Sequence, residues 1–270
     1  MEVAFDFGIT TTDVVVLNEN KKQFYSLKSE EVNDSFLEKI FNKINLDPNK
    51  VKKIAVTGGK SNNLKDSFNK ILVIKVNEVE SIGLGAKDLY DIDDEKFLTI
   101  SAGTGTGCIF YDGENYHYLG GIAIGGGTLE GLSNYLLETT DFKIIEKLSK
   151  KGNRKNIDSL IGEVVNNIGS LDANITASNL VKLKEGKGHN LEDIAASFTN
   201  MVGEVIGTIS YLNAMLAGVD KVYFLGRLSL SEPIKEAIDK RLKLANINGV
   251  YKENREYGNV LGALRYMQTK

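Results

Sequence analysis

Phe97-Leu98-Thr99-Ile100-Ser101-Ala102-Gly103-Thr104-Gly105-Thr106 restates, at an offset of 95 residues, the pattern with which the chain opens, Glu2-Val3-Ala4-Phe5-Asp6-Phe7-Gly8-Ile9-Thr10-Thr11. In both places an apolar, β-branched run predicts a strand, a Gly/Thr turn interrupts it, and a second run predicts the return strand of a hairpin, Asp13 to Asn18 or Cys108 to Tyr111. At this offset Gly8 falls on Gly103, Thr11 on Thr106 and Val14 on Ile109. A third strand follows in each copy, Gln23 to Lys28 and, after the turn Asp112-Gly113, Tyr116 to Leu119. Two similar units predict two similar lobes, each presenting a Gly/Thr turn at its end.

Between the hairpins, Phe36, Leu37, Ile40, Phe41 and Ile44 share one helical face, with Asn33 or Asp34 as its cap and Pro48 beyond its end. Lys53 to Thr57 and Leu72 to Val76 read as further strands, the first ending in Gly58-Gly59, and Glu80 to Leu89 as a short helix. After Gly120 the periodicity turns helical, with candidates Leu129 to Leu148, Ile157 to Ile168, Leu191 to Leu216 and Pro233 to Ala245. One strong strand, Lys221 to Leu225, ends at Gly226, and a last helix, Gly258 to Met267, could pack back across the lobes.

The chain has 270 residues, 42% hydrophobic and 26% charged, which excludes disorder and is long enough for two compact lobes. Its 27 glycines stand against 2 prolines, and many fall into clusters at Gly58-Gly59, Gly103 to Gly107 and Gly120 to Gly127. A net charge of −3 argues against a general grip on nucleic acid or an anionic membrane, so any bound anion is held locally. There is no basic segment ahead of an apolar run and nothing approaching about 18 consecutive apolar residues, so a cytoplasmic protein is expected. Cys108 alone makes no internal disulfide, and His117 and His189 are too few and too distant to suggest a metal site.

Turns of Gly and Thr present backbone N–H groups and hydroxyls together, a concave anion site that needs no formal positive charge. Two of them facing each other would clamp a polyphosphate. The copies differ at Asp6, whose counterpart is Ser101. A carboxylate beside a phosphate turn is what Mg²⁺ requires, since it takes oxygen ligands from one or two carboxylates together with substrate phosphates. The densest glycine run, Gly120 to Gly127, leads into a helix whose N-terminus could accept phosphates or let adenosine lie against bare backbone.

Asp6-x-Gly8-x-Thr10, Thr57-Gly58-Gly59-Lys60, Ser101 to Thr106, Gly120-Gly121 through Gly127-Thr128-Leu129-Glu130-Gly131-Leu132, Thr140-Asp141-Phe142 and Gly258 to Leu264 stand in the order and approximate spacing of the type II pantothenate kinases. The chain resembles that family over nearly its whole length. The resemblance implies an α/β fold, the duplicated ribonuclease H-like, two-lobe architecture of the actin/hexokinase type, with an N-terminal lobe over residues 1–93 and a C-terminal lobe over 94–270. It implies ATP and Mg²⁺ in the interlobe cleft, direct in-line phosphorylation of pantothenate's primary hydroxyl as the first step toward coenzyme A, and a homodimer built on the long helices. Carried onto this sequence, Asp6 would hold Mg²⁺. Phe7, Gly8, Ile9, Thr10, Thr11, Thr12 and Asp13 would form one phosphate turn, and Gly103, Thr104, Gly105 and Thr106 the other. Gly121, Gly125, Gly126, Gly127, Thr128, Leu129 and Glu130, with Phe142, Gly226 and Arg227, would line the nucleotide. The general base would be Glu78, with Glu80 as its competitor.

The sequence departs from the family pattern at several of these places. An Arg that helps hold pantothenate in many members is here Tyr118, a Lys often found behind the first turn is Asp13, a Ser that usually ends the second turn is Gly107, and a small Ser after the last glycine of the nucleotide site is Arg227. Tyrosine does not replace a bidentate guanidinium. A kinase of another small hydroxyl substrate, and a nucleotide-binding regulator, therefore stay open. A non-kinase ATPase is open as well, because Asp6 to Asp13 also resembles the opening of dehydratase-activating ATPases. Those activators bridge an iron–sulfur cluster with paired cysteines, and Cys108 stands alone.

Overall fold

The computed structural model describes residues 1–93, 95–166, 172–186 and 188–270. The first lobe begins as an antiparallel meander of β1 (Glu2–Phe7), β2 (Thr11–Asn18) and β3 (Lys21–Lys28). Helix α1 (Asp34–Lys43) then leads to β4 (Lys53–Thr57), parallel to β1, and the short β5 (Ser67–Phe68) precedes β6 (Ile71–Lys75), parallel to β4. The sheet order is β3-β2-β1-β4-β6-β5, and α2 (Glu78–Tyr90) follows it.

The second lobe repeats this scheme. Strands β7 (Phe97–Ala102), β8 (Thr106–Tyr111) and β9 (Tyr116–Ile122) form the meander. A long excursion carries α3 (Gly126–Leu137), α4 (Phe142–Ser149), β10 (Ser159–Leu160), the single turn α5 (Ile161–Val164), β11 (Thr176–Ser178) and α6 (Leu191–Ala217). Then β12 (Lys221–Leu225) pairs parallel with β7, α7 (Glu232–Lys243) follows, β13 (Asn248–Val250) pairs parallel with β12, and α8 (Gly258–Thr269) ends the chain. Taken from β9 inward, the order β13-β12-β7-β8-β9 is that of the first sheet without its edge strand β5.

The registers correct the expected offset. Phe7 pairs with Thr12 and Ala102 with Thr106, so the second turn is one residue shorter than the first. Thr106 is therefore the counterpart of Thr12, not Thr11, and Cys108 rather than Ile109 is the counterpart of Val14. The fourth strands end alike: Gly58 and Gly226 both have positive φ, +94° and +87°. A Cβ on Gly58 would lie 2.5 Å from the Phe7 carbonyl oxygen, and one on Gly226 would lie 2.3 Å from that of Ala102. Only glycine supplies that conformation and that closeness.

One face of the first sheet buries Val3, Phe5, Val14 and Ile54 beneath α1, whose Phe36, Leu37, Ile40 and Phe41 are the apolar face read from the sequence. The other face packs Ala4, Val15 and Ala55 against Val260, Leu264 and Met267 of α8. Helices α2 and α8 cross at small residues, since a Cβ on Gly85 would lie 1.9 Å from the Gly258 carbonyl oxygen and one on Gly262 would lie 1.7 Å from that of Ser81. The second core gathers around α6, where Phe198, Val202 and Ile206 meet Phe224, Ile234 and Ile238.

Two expected helices are otherwise arranged. Leu129 to Leu148 is broken between α3 and α4, because Glu138 takes a left-handed conformation and Asp141 caps the second helix through the Lys143 N–H. Ile157 to Ile168 is a short strand and one helical turn instead, and Ile168 lies outside the described residues. There the buried Asp158 accepts from the Leu180 N–H and the Ser197 hydroxyl, a set of partners that a continuous helix would not offer. Among the described residues no helix is long and apolar enough to cross a membrane.

Candidate active site

The ends of the two hairpins meet. Thr10 Oγ1 lies 3.0 Å from Thr104 Oγ1, so the turns of the two lobes face each other across a cavity of about 950 Å³. Each turn is braced from behind. The Ser29 hydroxyl donates to the Gly8 carbonyl at 2.6 Å in the first lobe. In the second, the N–H groups of Gly126 and Gly127 donate to the carbonyls of Gly103 and Thr104 at 2.8 and 3.0 Å. This changes the expected part of the third glycine cluster. The first N–H groups of α3 hold the neighbouring turn and are not free for a phosphate, while Gly126, Gly127 and Glu130 leave a bare wall open to the cavity.

At the cleft floor Asp6 stands opposite Asp13 in the β1–β2 register, which puts both carboxylates on one face. The Asp6 carboxyl is pushed up to about 7, by desolvation first and by repulsion from Asp13 and Glu78 next, with a hydrogen bond from Asn259 and the charge of Arg227 offsetting part of the rise. Asp13 is buried and bound across the cleft by Arg227, which donates from Nη1 to Oδ2 at 2.7 Å and from Nη2 to Oδ1. The same guanidinium donates to Ser26 Oγ and rests 5.7 Å from the ring centre of Tyr257. Arg227 was expected to reach nucleotide; the structure places it on the cavity wall with its fork already committed to Asp13.

Glu78 is the first residue of α2, behind the N-cap Asn77, whose side chain accepts from the Val79 N–H at 2.9 Å. It lines the cavity; Glu80, two residues on, is not part of that wall. Val79, Ile82, Ile109 and Tyr118 continue the surface beside it, and Phe142, Leu228 and Leu230 lie among the apolar residues of the lining.

Gly8, Ile9, Thr10, Thr11, Gly103, Thr104, Gly105, Thr106, Gly121 and Gly226 also reach the cavity. Five of the expected residues do not. Phe7 is core, its ring 5.9 Å from that of Phe5. Thr12 is buried against the Ser29 hydroxyl at 2.9 Å. Gly125 packs on the second turn, Thr128 donates to the Ala123 carbonyl, and Leu129 is fully buried. Alternation along β1 and β2 turns Phe7 and Thr12 away, and helical geometry after Gly125 does the same for Thr128 and Leu129, so these residues support the site from behind. Asn259 was missed: it begins α8, bonds Asp6, and accepts from the Ser101 hydroxyl at 3.2 Å. Its signal was the Gly258-Asn259 pair at a helix start. Cys108 is buried in β8, where desolvation pushes its thiol up to about 11.

The Fumble family model matches residues 10–237 of this chain. A protein named type II pantothenate kinase from a strain of Bacillus cereus is 30% identical over 99% of this chain and 98% of its own length. One of the same name from Staphylococcus haemolyticus is 28% identical over 81% of this chain and 85% of its own. Among solved structures, the activator of the 2-hydroxyisocaproyl-CoA dehydratase from Clostridium difficile with bound ADPNP superimposes with a TM-score of 0.67 at 18% identity, covering 98% of this chain and 93% of that one. A ROK family glucokinase from Streptomyces griseus in complex with glucose and AMPPNP gives 0.61 at 13% identity, covering 100% and 99%. These likenesses show the actin/hexokinase-like two-lobe fold.

Proposed function

The chain belongs to the type II pantothenate kinase (Fumble) family of ATP-dependent phosphotransferases, and on that premise we propose that it transfers the terminal phosphoryl group of ATP to the primary hydroxyl of pantothenate. The observation that carries the reading is that both Gly/Thr turns and the carboxylate of Glu78 at the start of α2 open on one cavity.

Phosphoryl transfer asks the protein for alignment, charge neutralisation and the removal of one proton. In this reading the backbone N–H groups and hydroxyls of Thr10, Thr11 and Thr104 hold the phosphates between the lobes, while Thr106, whose hydroxyl donates to the Ile124 carbonyl, fixes the end of the second turn. The wall of Gly126, Gly127 and Phe142 takes the nucleoside. Glu78, exposed at the cavity edge, accepts the hydroxyl proton. The carboxylate of Asp6, facing the cleft beside the first turn, suits Mg²⁺, an ion whose shell phosphates and water would complete. Held by Asp6, Mg²⁺ would neutralise phosphate charge in a cleft otherwise rich in carboxylates. Asn259 and Arg227 keep Asp6 and Asp13 apart in role, one facing the ion and the other bound across the cleft. The reading includes a cytoplasmic homodimer, with the exposed Leu212, Met215 and Leu216 of α6 as its candidate face.

The test is acceptor-dependent ADP release. Purified protein with MgATP should release ADP on addition of pantothenate and stay near background without it; release that ignores the acceptor would point to an ATPase.

A further inference from the structure

We infer that the acceptor subsite beside Glu78 selects an uncharged hydroxyl acceptor, so that a neutral amide of pantothenate is phosphorylated ahead of the pantothenate anion. This rests on the kinase reading and refines its substrate class.

The wall that continues from Glu78 is apolar. Val79 and Ile82, in the first turns of α2, pack with Ile109 of β8. Tyr118 of β9 lies along the same surface: a Cβ on Gly107 would meet Ile109 Cδ1 at 3.6 Å and Tyr118 Cε2 at 3.8 Å, and one on Gly121 would meet the Tyr118 hydroxyl at 2.6 Å. The missing side chains at positions 107 and 121 thus make a shelf for the phenol, which remains 58% exposed. An acceptor with its hydroxyl at Glu78 meets aliphatic carbon and one neutral hydroxyl along its length.

The charges around this surface have one sign. Among the described residues, Asp6, Asp13, Glu78, Glu130, Glu146 and Glu256 line the cavity and the matching cation is Arg227. Both terminal nitrogens of Arg227 are engaged by Asp13, so its charge is already committed across the cleft. A carboxylate brought against the Tyr118 wall would lose water, find no cation there among the described residues, and be repelled by Glu78. An amide loses little and can hydrogen-bond the phenol.

ADP release by the full chain with MgATP, compared for pantothenate and its uncharged N-propyl amide at low and high salt, tests this. The amide should lead in kcat/KM by about tenfold or more at low salt, and the gap should narrow as salt screens the cleft. Tyr118→Arg, which adds a cation at an exposed position, should move the ratio about tenfold toward pantothenate. Pantothenate equal to or better than the amide at both salt concentrations, with the ratio unmoved in Tyr118→Arg, overturns the inference and leaves the kinase reading standing. Release stimulated by neither compound, while calorimetry still records MgATP binding, overturns the kinase reading and the inference together.

Discussion

In the second lobe Asp6 is answered by Ser101, Asp13 by Gly107, and Gly59 by Arg227, positions matched by strand register and by the glycines that end β4 and β12. The crossing of α2 and α8 extends the match, since Ser81 answers Gly258 and Gly85 answers Gly262, which carries Glu78 onto Arg255. Glu78 stands exposed at the cleft, whereas Arg255 turns inward, donating to Ser229 Oγ and to the carbonyls of Ser229 and Lys252, each at 3.0 Å. The duplicated backbone has kept its turns, registers and close approaches while the charges at these matched positions have been sorted, with the carboxylates of Asp6, Asp13 and Glu78 in the first lobe and the guanidinium groups of Arg227 and Arg255 in the second. A phosphoryl donor held between the lobes would meet a metal-binding side and a side that braces the nucleotide wall.

The widest separation is expected between Glu78 and Arg255. Glu78→Gln should lower kcat by about a hundred- to ten-thousandfold while MgATP binding and melting temperature stay as they are, because the change removes a proton acceptor and little packing. Arg255→Gln should do the reverse, costing about 1–3 kcal/mol of stability by urea denaturation through two Ser229 partners left without their donor. A stable Arg255→Gln protein with no turnover would break the division of labour between the lobes.

Gly58 and Gly226 test the part of the comparison that says the lobes are alike. Alanine at either site forces a positive φ and drives a methyl into the carbonyl of Phe7 or Ala102, at a cost of about 3 kcal/mol. Similar losses by denaturant titration are expected. A loss confined to one variant would show that the two strand ends are not equivalent.

Asp6 and Ser101 differ in how they respond to pH. The folded value of Asp6 is about 7, against 3.8 for the ordinary side chain, so the folded protein keeps a proton that the unfolded chain has lost. Its contribution to stability is therefore complete below 3.8 and is lost as pH rises through about 7. The melting temperature of the nucleotide-free protein should fall between about pH 4 and pH 7, and Asp6→Asn should flatten that fall while Ser101→Ala leaves it in place. Asp13→Asn should move the fall to lower pH, because it removes the larger of the two carboxylate repulsions on Asp6.

The duplication, both meanders and the face of α1 were legible because they are written as local periodicity and turn chemistry. Thr10 and Thr104 could be named as turn residues for the same reason. The Asp13–Arg227 fork was not legible, since 214 residues separate its partners and each reads alone as a departure from a pattern. Asn259 was hidden likewise, because its partners Asp6 and Ser101 lie in the opening strands of the two lobes. The break between α3 and α4 escaped because apolar spacing continues through it, and what stops the helix is the backbone at Glu138 and the cap at Asp141. The one-residue shortening of the second turn is a matter of register, which pairing decides and composition does not.

The smallest effect belongs to the contact where the lobes touch. Thr10 and Thr104 share a hydrogen bond at 3.0 Å in an exposed position, where water replaces either partner at small cost. Thr104→Val should change stability by less than about 1 kcal/mol, within the net worth of a single hydrogen bond. If the two hydroxyls serve the phosphates more than each other, the same variant should raise the KM for ATP several-fold, and Thr10→Val should match it. Equal effects would make the turns partners in one site. A rise confined to Thr10→Val would assign the phosphates to the first lobe and leave the second turn as its support.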